Sequence, residues 1–408
     1  MADGAFVIVG ASLAGAKAAE TLRSEGFEGR VVLIGAEPER PYERPPLSKG
    51  YLLGQQERDK VYVHDERWYA DHDVELLLGT RVESIDRAAR TVTAGGATYG
   101  YGKLLLATGA RPRRLPVPGA DLDGVHTLRT VGDSELIRDA VRGGGRVVVV
   151  GAGWIGLEVA AAARSYGATV TVVEPQPTPL HGVLGPELGE VFARLHRDNG
   201  TELRLGRAVQ EIRGDGGRAV GVTLDDGTRL DADAVIVGVG VLPNSGLAEA
   251  AGLATDNGVL VDEALRTDDP DIYAAGDVAN ASNPLLGRRL RVEHWANALN
   301  SGPLAARAML GRQVVYDRVP YFFTDQYDLG MEYSGHAAPG EYDEVVYRGD
   351  TDTREFVAFW LRGGRVLAGM NVNVWDVTSP IQELVRAGTQ VEAARLADPD
   401  TPLTELVR

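Results

Sequence analysis

Two glycine-rich hexapeptides hold the residues of this chain whose types and spacing point to chemistry. Gly10-Ala11-Ser12-Leu13-Ala14-Gly15 follows the apolar run Phe6-Val7-Ile8-Val9, and Gly151-Ala152-Gly153-Trp154-Ile155-Gly156 follows Arg146-Val147-Val148-Val149-Val150. The outer glycines let the chain turn sharply and let a helix pack close to its strand. A pyrophosphate can then meet backbone N–H groups and the positive end of the helix macrodipole. The second copy is a complete G-x-G-x-x-G; in the first, Ser12 replaces the middle glycine with a side chain still small enough for that approach. An acid ends the next strand in both cases. Glu37 stands 22 residues beyond Gly15, after Arg30-Val31-Val32-Leu33-Ile34, and Glu174 stands 18 beyond Gly156, after Thr169-Val170-Thr171-Val172-Val173. A carboxylate so placed accepts from both hydroxyls of a ribose. One such hexapeptide is weak evidence, but two, each between a strand and a helix and each with its acid, predict two sites for ADP-bearing ligands.

The elements that must position these turns follow from the same pattern. Short, unbroken apolar strands predict parallel sheets covered on both faces, and Leu157 to Tyr166 reads as an Ala-rich helix closed by Gly167. Leu104 to Ala110 is a strand ending in the small turn Ala107-Thr108-Gly109, and the Pro- and Arg-rich stretch from Arg111 to Pro118 suits a crossing between domains. Ala234 to Gly240, ending Gly238-Val239-Gly240 before Pro243-Asn244, marks the way back; Asp271 to Val278 is another strand that stops on Gly276 and Asp277. Beyond about Arg318 the texture turns aromatic and alternating, as in Glu355-Phe356-Val357-Ala358-Phe359-Trp360-Leu361, which predicts an antiparallel third domain with short helices over Pro380–Ala387 and Gln390–Leu396. The fold class is therefore α/β: two Rossmann-like dinucleotide-binding domains plus a C-terminal α+β domain with an antiparallel sheet. The boundaries read as 1–111 with 241–318, then 112–240, then 319–408.

Composition narrows the function. The 408 residues suggest two to four domains, and a net charge of −16 argues against a nucleic-acid partner, whose phosphates would be repelled. No apolar run approaches the roughly 20 residues needed to span a bilayer, and the N-terminus enters a strand without a basic and apolar leader, so no membrane partner and a cytoplasmic location are expected. Cysteine is absent, which removes disulfides, thiolate metal sites and any redox-active dithiol. The 7 histidines show no metal-ligand spacing, so no metal site is expected.

Two dinucleotide units, a Thr-Gly-Ala crossing and a late Gly-Asp resemble the two-dinucleotide-fold flavoproteins of the glutathione-reductase superfamily. Within that group the sequence is similar to the FAD-dependent NADH:ferredoxin reductases of the putidaredoxin reductase type, which serve cytochrome P450 and Rieske dioxygenase systems. The likeness spans essentially the whole chain and is most specific at Arg40-Pro41-Tyr42-Glu43-Arg44-Pro45-Pro46-Leu47-Ser48-Lys49, Ala275-Gly276-Asp277-Val278, Val292-Glu293-His294-Trp295 with Asn297, and Asp325-Gln326. Two positions depart from that pattern: Phe323 where the family usually has Trp, and Ser301 before Gly302 where it usually has Gln.

The resemblance implies non-covalent FAD in the first unit, NADH in the second, and an iron–sulfur partner, a [2Fe-2S] ferredoxin supplying a P450 or Rieske oxygenase, docking over the flavin at the C-terminal domain. It implies an FAD site built from Gly10, Ser12, Ala14, Gly15, Glu37, Arg44, Pro46, Lys49, Val82, Ala107, Thr108, Gly109, Arg111, Gly276, Asp277, Glu293, His294, Trp295 and Phe323. For NADH it implies Gly151, Gly153, Ile155, Gly156, Glu158, Glu174, Gly238, Val239 and Gly240. Lys49 and Glu158 are the catalytic candidates: Lys49 beside the reactive edge of the flavin, where a cation stabilises the reduced ring, and Glu158 facing the nicotinamide and pairing with Lys49 in its absence. Plainer readings stand beside these, Glu158 as a first-turn partner of the helix dipole, Asp277 as a helix N-cap and Trp295 as core.

A flavin suits this chain because NADH gives up a hydride while an iron–sulfur cluster takes one electron at a time. Relatives that reduce glutathione or peroxide route electrons through a cysteine, and this chain has none. Glu174 favours NADH. A 2′-phosphate about 5 Å away would cost on the order of 3 kcal/mol per unit charge at an effective dielectric near 20, and no Lys or Arg occurs from Pro175 to Pro186 to offset it. Arg288, Arg289 and Arg291, with Arg307, Arg312 and Arg318 after them, read either as a docking patch for an acidic partner or as a solvated loop. Two alternatives remain open: a flavoprotein reducing quinones or small acceptors, and an apoptosis-inducing-factor-like flavoprotein in which NADH governs association.

Overall fold

The computed structural model describes residues 4–407. The described residues form two compact units, one made of 4–44, 58–111 and 241–320, the other of 45–57, 112–240 and 321–407.

The first unit is built on a five-stranded parallel sheet in the order Ile272–Ala274, Lys103–Leu106, Phe6–Val9, Val31–Ile34, Val74–Leu77. The central strands Phe6–Val9 and Val31–Ile34 are buried along their whole length. That explains why they read as continuous apolar runs, and each fully buried Val, Leu or Ile contributes about 1.5–3 kcal/mol. Two helices, Leu13–Ser24 and Trp295–Met309, pack against one another. They meet closely because Gly302 has no side chain; a Cβ there would lie 2.3 Å from the Ala14 carbonyl oxygen. Antiparallel strands Val82–Asp86, Thr91–Ala94 and Ala97–Gly100 complete one side, and Val259–Val261, Ala279–Asn283 and Arg288–Arg291 form a further small sheet.

The second unit repeats the theme with Glu202–Leu205, Thr169–Glu174, Arg146–Val150, Ala234–Val237 and Val125–His126 in parallel order. It also carries the C-terminal region, a five-stranded antiparallel sheet in the order Tyr321–Gln326, Leu329–Gly335, Arg365–Val372, Glu355–Arg362, Glu344–Asp350. The helices after it run Thr378–Ala387 and Ala393–Ala397. One core joins the two parts, since Val147, Leu157 and Phe192 cluster with Phe322, Tyr333, Phe356 and Trp360.

The segment 45–57, read from the sequence as part of the first nucleotide unit, packs with this second unit. Its anchors are specific: Ser134 Oγ donates to the Leu47 carbonyl at 2.8 Å and Tyr166 OH to that of Leu52 at 2.8 Å, and Leu52 lies in the second unit's core. Among the described residues no helix is long and apolar enough to cross a membrane.

Candidate functional site

In the first unit the turn after Phe6–Val9 has the shape a phosphate requires. Gly10 sits at φ +123°, and a Cβ on it would lie 2.0 Å from the Ala107 carbonyl oxygen; a Cβ on Gly15 would lie 2.0 Å from the Gly10 oxygen. Both positions therefore accept only glycine. Ser12 is the N-cap of Leu13–Ser24, yet its hydroxyl makes no capping bond, which leaves the first-turn N–H groups facing outward. Gly276 comes beside Ala14, with a built Cβ 3.2 Å from the Ala14 methyl, so the late Gly-Asp turn lies against the fingerprint.

A charged cluster closes this site. Glu37 accepts from the Tyr42 hydroxyl on one oxygen and from Arg44 on the other, the latter at 3.1 Å. Burial works to lower the Arg44 pKa, but Tyr42, Glu37 and Asp277 outweigh it and leave a firmly charged guanidinium. Burial, opposed by Arg44 and assisted by Glu37, raises the Tyr42 phenol, so it remains a donor. Arg291 pairs with Glu293 and donates to the Asp277 carbonyl at 3.2 Å. Asp277 itself lies inside the short 3₁₀ turn Gly276–Val278, which Ala275 caps, so the N-cap reading of Asp277 is corrected. His294 is the N-cap of Trp295–Met309 and Trp295 its first residue.

The crossing residues are locked together. Thr108 Oγ1 donates to the Asn244 carbonyl at 2.9 Å, Asn244 Nδ2 returns a bond to the Thr108 carbonyl at 2.8 Å, and Arg111 reaches Asn244 Oδ1 at 3.1 Å. Val82 opens its strand against the first unit's core.

The second unit's turn is built alike. Gly151 sits at φ +101°, its missing Cβ 2.5 Å from the Gly238 oxygen and 3.4 Å from the Val239 side chain, and a Cβ on Gly156 would lie 2.2 Å from the Gly151 oxygen. Gly240, at φ +94°, accepts from the Arg113 N–H at 2.9 Å. Gly153 caps the helix Trp154–Ser165 without any side chain, and Ile155 is 44% exposed, an apolar residue left open at the turn. Glu174 accepts from the Ala152 N–H at 2.7 Å and the Gln176 N–H at 3.0 Å, which points its carboxylate back at the fingerprint.

The helix begins at Trp154 rather than Leu157, because the backbone becomes helical directly after Gly153. Glu158 is therefore in the second turn and only 3% exposed, so the reading of it as a first-turn dipole partner is corrected. It accepts from Lys49 Nζ at 2.7 Å, from the Ser48 hydroxyl and from Thr324 Oγ1 at 2.5 Å. Lys49 Nζ also lies 5.3 Å from the centre of the Phe323 ring, within cation–π range. Pro46 is the second residue of the 3₁₀ turn Pro45–Ser48 that delivers Ser48 and Lys49.

Several residues take roles here that their sequence positions did not show. Ser301 donates to the Asn297 carbonyl at 2.6 Å and accepts from the Gly276 N–H at 2.9 Å, fixing the Gly-Asp turn. Tyr316 holds Asn297 Oδ1 at 2.5 Å. The arginine cluster is neither a loop nor a uniform patch: Arg288–Arg291 is a strand, and Arg289 donates to the carbonyls of Val261 and Asn280, both at 2.6 Å. Arg289, although exposed, and Arg291 thus also tie down backbone carbonyls of their own unit.

Known proteins share this arrangement. Residues 4–302 match the pyridine nucleotide-disulphide oxidoreductase family model, and residues 321–407 match the reductase C-terminal model. The chain is 43% identical over 403 residues to the 5,5'-dehydrodivanillate O-demethylase ferredoxin reductase subunit of a Sphingobium species, covering 98% of this chain and 97% of that one. It is 41% identical over 403 residues to the ferredoxin–NAD(+) reductase component of the anthranilate 1,2-dioxygenase system of Burkholderia cepacia, covering 98% of each. Among solved structures, that of a covalent putidaredoxin reductase–putidaredoxin complex superposes with a TM-score of 0.96 at 36% identity, over 100% of this chain and 99% of that one.

Proposed function

The chain belongs to the pyridine nucleotide-disulphide oxidoreductase family, and from that premise we propose that it is an FAD-dependent NADH:ferredoxin reductase. It passes electrons from NADH, through non-covalently bound FAD and one at a time, to a [2Fe-2S] ferredoxin that supplies a cytochrome P450 or Rieske-type oxygenase. One observation carries this reading: in a family named for disulphides, the chain contains no cysteine. Without a thiol relay, electrons leave toward an outside one-electron acceptor. The relatives that it matches along nearly their full lengths are named for that task.

The residues present fit both ligands. The glycine cradle at Gly10 and Gly15, the uncapped helix start at Ser12 and the Glu37–Arg44–Asp277 cluster suit an ADP-bearing flavin held by the first unit. Gly151, Gly153 and Gly156 with Glu174 suit NADH held in 112–240, and 319–408 presents the partner face. When bound, the flavin supplies the exchange between a two-electron donor and a one-electron acceptor. The chain supplies orientation and charge: Arg44 neutralises phosphate, Asp277 accepts from the ribityl chain, Glu174 accepts from the ribose, and Lys49 offers a cation that Glu158 holds in reserve. The place of action is the cytoplasm, where NADH is supplied.

Anaerobic mixing of the purified yellow protein with NADH or NADPH, followed by a [2Fe-2S] ferredoxin, tests the reading. Rapid bleaching by NADH and ferredoxin-dependent reduction of cytochrome c are expected. A rate to cytochrome c that does not depend on ferredoxin would assign the chain to small acceptors or quinones instead.

A further inference from the structure

Three residues, of which only Gln326 belongs to a sequence motif, form a chain that ends on Glu158. His196, on the helix His181–Asp198, is wholly buried, and its Nε2 lies 2.9 Å from Gln326 Oε1. Gln326 Nε2 donates to Thr324 Oγ1 at 3.2 Å, and the Thr324 hydroxyl donates to Glu158 Oε1 at 2.5 Å. Thr324 and Gln326 stand two apart on the strand Tyr321–Gln326 and so share a face; Thr324 is 0% exposed.

The chain has a direction. Burial pushes the His196 imidazole down to about 4, against the opposing pull of Gln326, so the ring is neutral at pH 7 and carries one proton. Its buried Nδ1 has no hydrogen-bond partner, which assigns that proton to Nε2, the nitrogen with an acceptor in reach. An Nε2–H holds the Gln326 oxygen toward His196 and its amide toward Thr324. The Thr324 oxygen, already receiving that amide, turns its own proton to Glu158. With the amide reversed, Gln326 would take the Thr324 proton and Glu158 would lose a donor.

We propose that His196, Gln326 and Thr324 are positioning residues, a one-way hydrogen-bond relay that fixes the Glu158 carboxylate where it can hold and release Lys49. The relay makes hydride donation at the nucleotide-binding helix depend on a strand of the C-terminal sheet. Ser48 and Thr324 keep two donors on Glu158 whether or not Lys49 is in contact, so releasing the lysine does not strand a buried charge. Asp325, the next residue, senses the same pair: burial pushes its carboxyl up, with Lys49 opposing and Glu158 adding to the rise.

Two arms test it, the first independent of flavin and NADH and so of the proposed function. Nitrogen NMR of the apo-protein labelled at histidine, with the His196 signals identified by their loss in His196→Gln, should show a protonated Nε2 and a bare Nδ1; the opposite tautomer overturns the relay. In the holoenzyme, Thr324→Val should lower the limiting rate of flavin reduction by NADH at least tenfold. The half-saturating NADH concentration should change less than twofold, and Thr324→Ser should recover the parental rate within threefold. Visible absorbance confirms full flavin content in each variant. Parental rates in Thr324→Val, or a Thr324→Ser variant as slow as Thr324→Val, would also overturn it. If the parent protein itself were not reduced by NADH, the proposed function would fail while the NMR arm still decided the relay.

Discussion

Glu37 and Glu174 end corresponding strands, yet their surroundings differ. Glu37 has both oxygens taken by side chains from the loop beyond it, Tyr42 and Arg44. Glu174 faces backward, onto the Ala152 N–H of the turn and the Gln176 N–H. The middle fingerprint position differs in the same sense, a serine in the first fold and a bare glycine in the second. One nucleotide site is thus closed by a pre-formed, charged side-chain cluster and the other is lined by backbone with an open approach marked by the exposed Ile155. On the function proposed above, the first arrangement serves a resident cofactor and the second a coenzyme that enters and leaves each cycle.

The strongest way to break this contrast is steric. Gly10→Ala places a methyl against the Ala107 carbonyl at a φ of +123°, and loss of bound flavin with at least about 3 kcal/mol of destabilisation is expected from absorbance and urea unfolding. Gly153→Ser, which copies the first fold's middle residue into the second, meets nothing within 4 Å and should leave flavin content and stability unchanged. Next comes charge. Glu174→Ser should narrow the preference for NADH over NADPH by up to about 100-fold in kcat/KM, the rate equivalent of roughly 3 kcal/mol, whereas Glu37→Ser should loosen flavin and leave coenzyme preference alone.

Acid separates the units further. His196 is held near pKa 4 in the fold against an ordinary 6.5. Below pH 6.5 the unfolded chain binds a proton that the folded one refuses, so the second unit should lose about 3 kcal/mol between pH 6.5 and 4 and no more below that. Urea midpoints across that range, compared with His196→Gln, measure it. Reversing charge on the arginine strand is a smaller test: Arg289→Glu should cost about 2 kcal/mol in urea unfolding through its two carbonyl partners. Arg288→Glu is read by rates instead: a slower rate to ferredoxin with unchanged flavin reduction would make it a docking contact. Smallest, Tyr42→Phe should cost about 1.5 kcal/mol and speed flavin release.

Much of this was legible from residue order. The two glycine turns, their acids, the parallel strands and the alternating C-terminal sheet are local patterns, set within a few residues by backbone geometry and by which faces are buried. The start of the helix at Trp154 was not, because Trp154 and Ile155 carry no helix-start signal and glycine caps without a side chain. That shift of one turn took Glu158 from an exposed dipole partner to a buried acceptor. Arg289 reads as a surface charge in sequence, since nothing in its neighbours shows that the carbonyls of Val261 and Asn280 lie beneath it.

The amino-acid order by itself carried the two nucleotide-fold patterns, the acid on which the proposed preference for NADH rests and the missing cysteine on which the proposed sulfur-free electron path rests. Only the tertiary structure decided which side chains meet: Lys49 with Glu158, 109 residues apart, and His196 with Gln326, 130 apart. Hydrogen-bond partners between buried polar groups are fixed by where the packed core leaves each donor and acceptor, and that is a property of the whole fold.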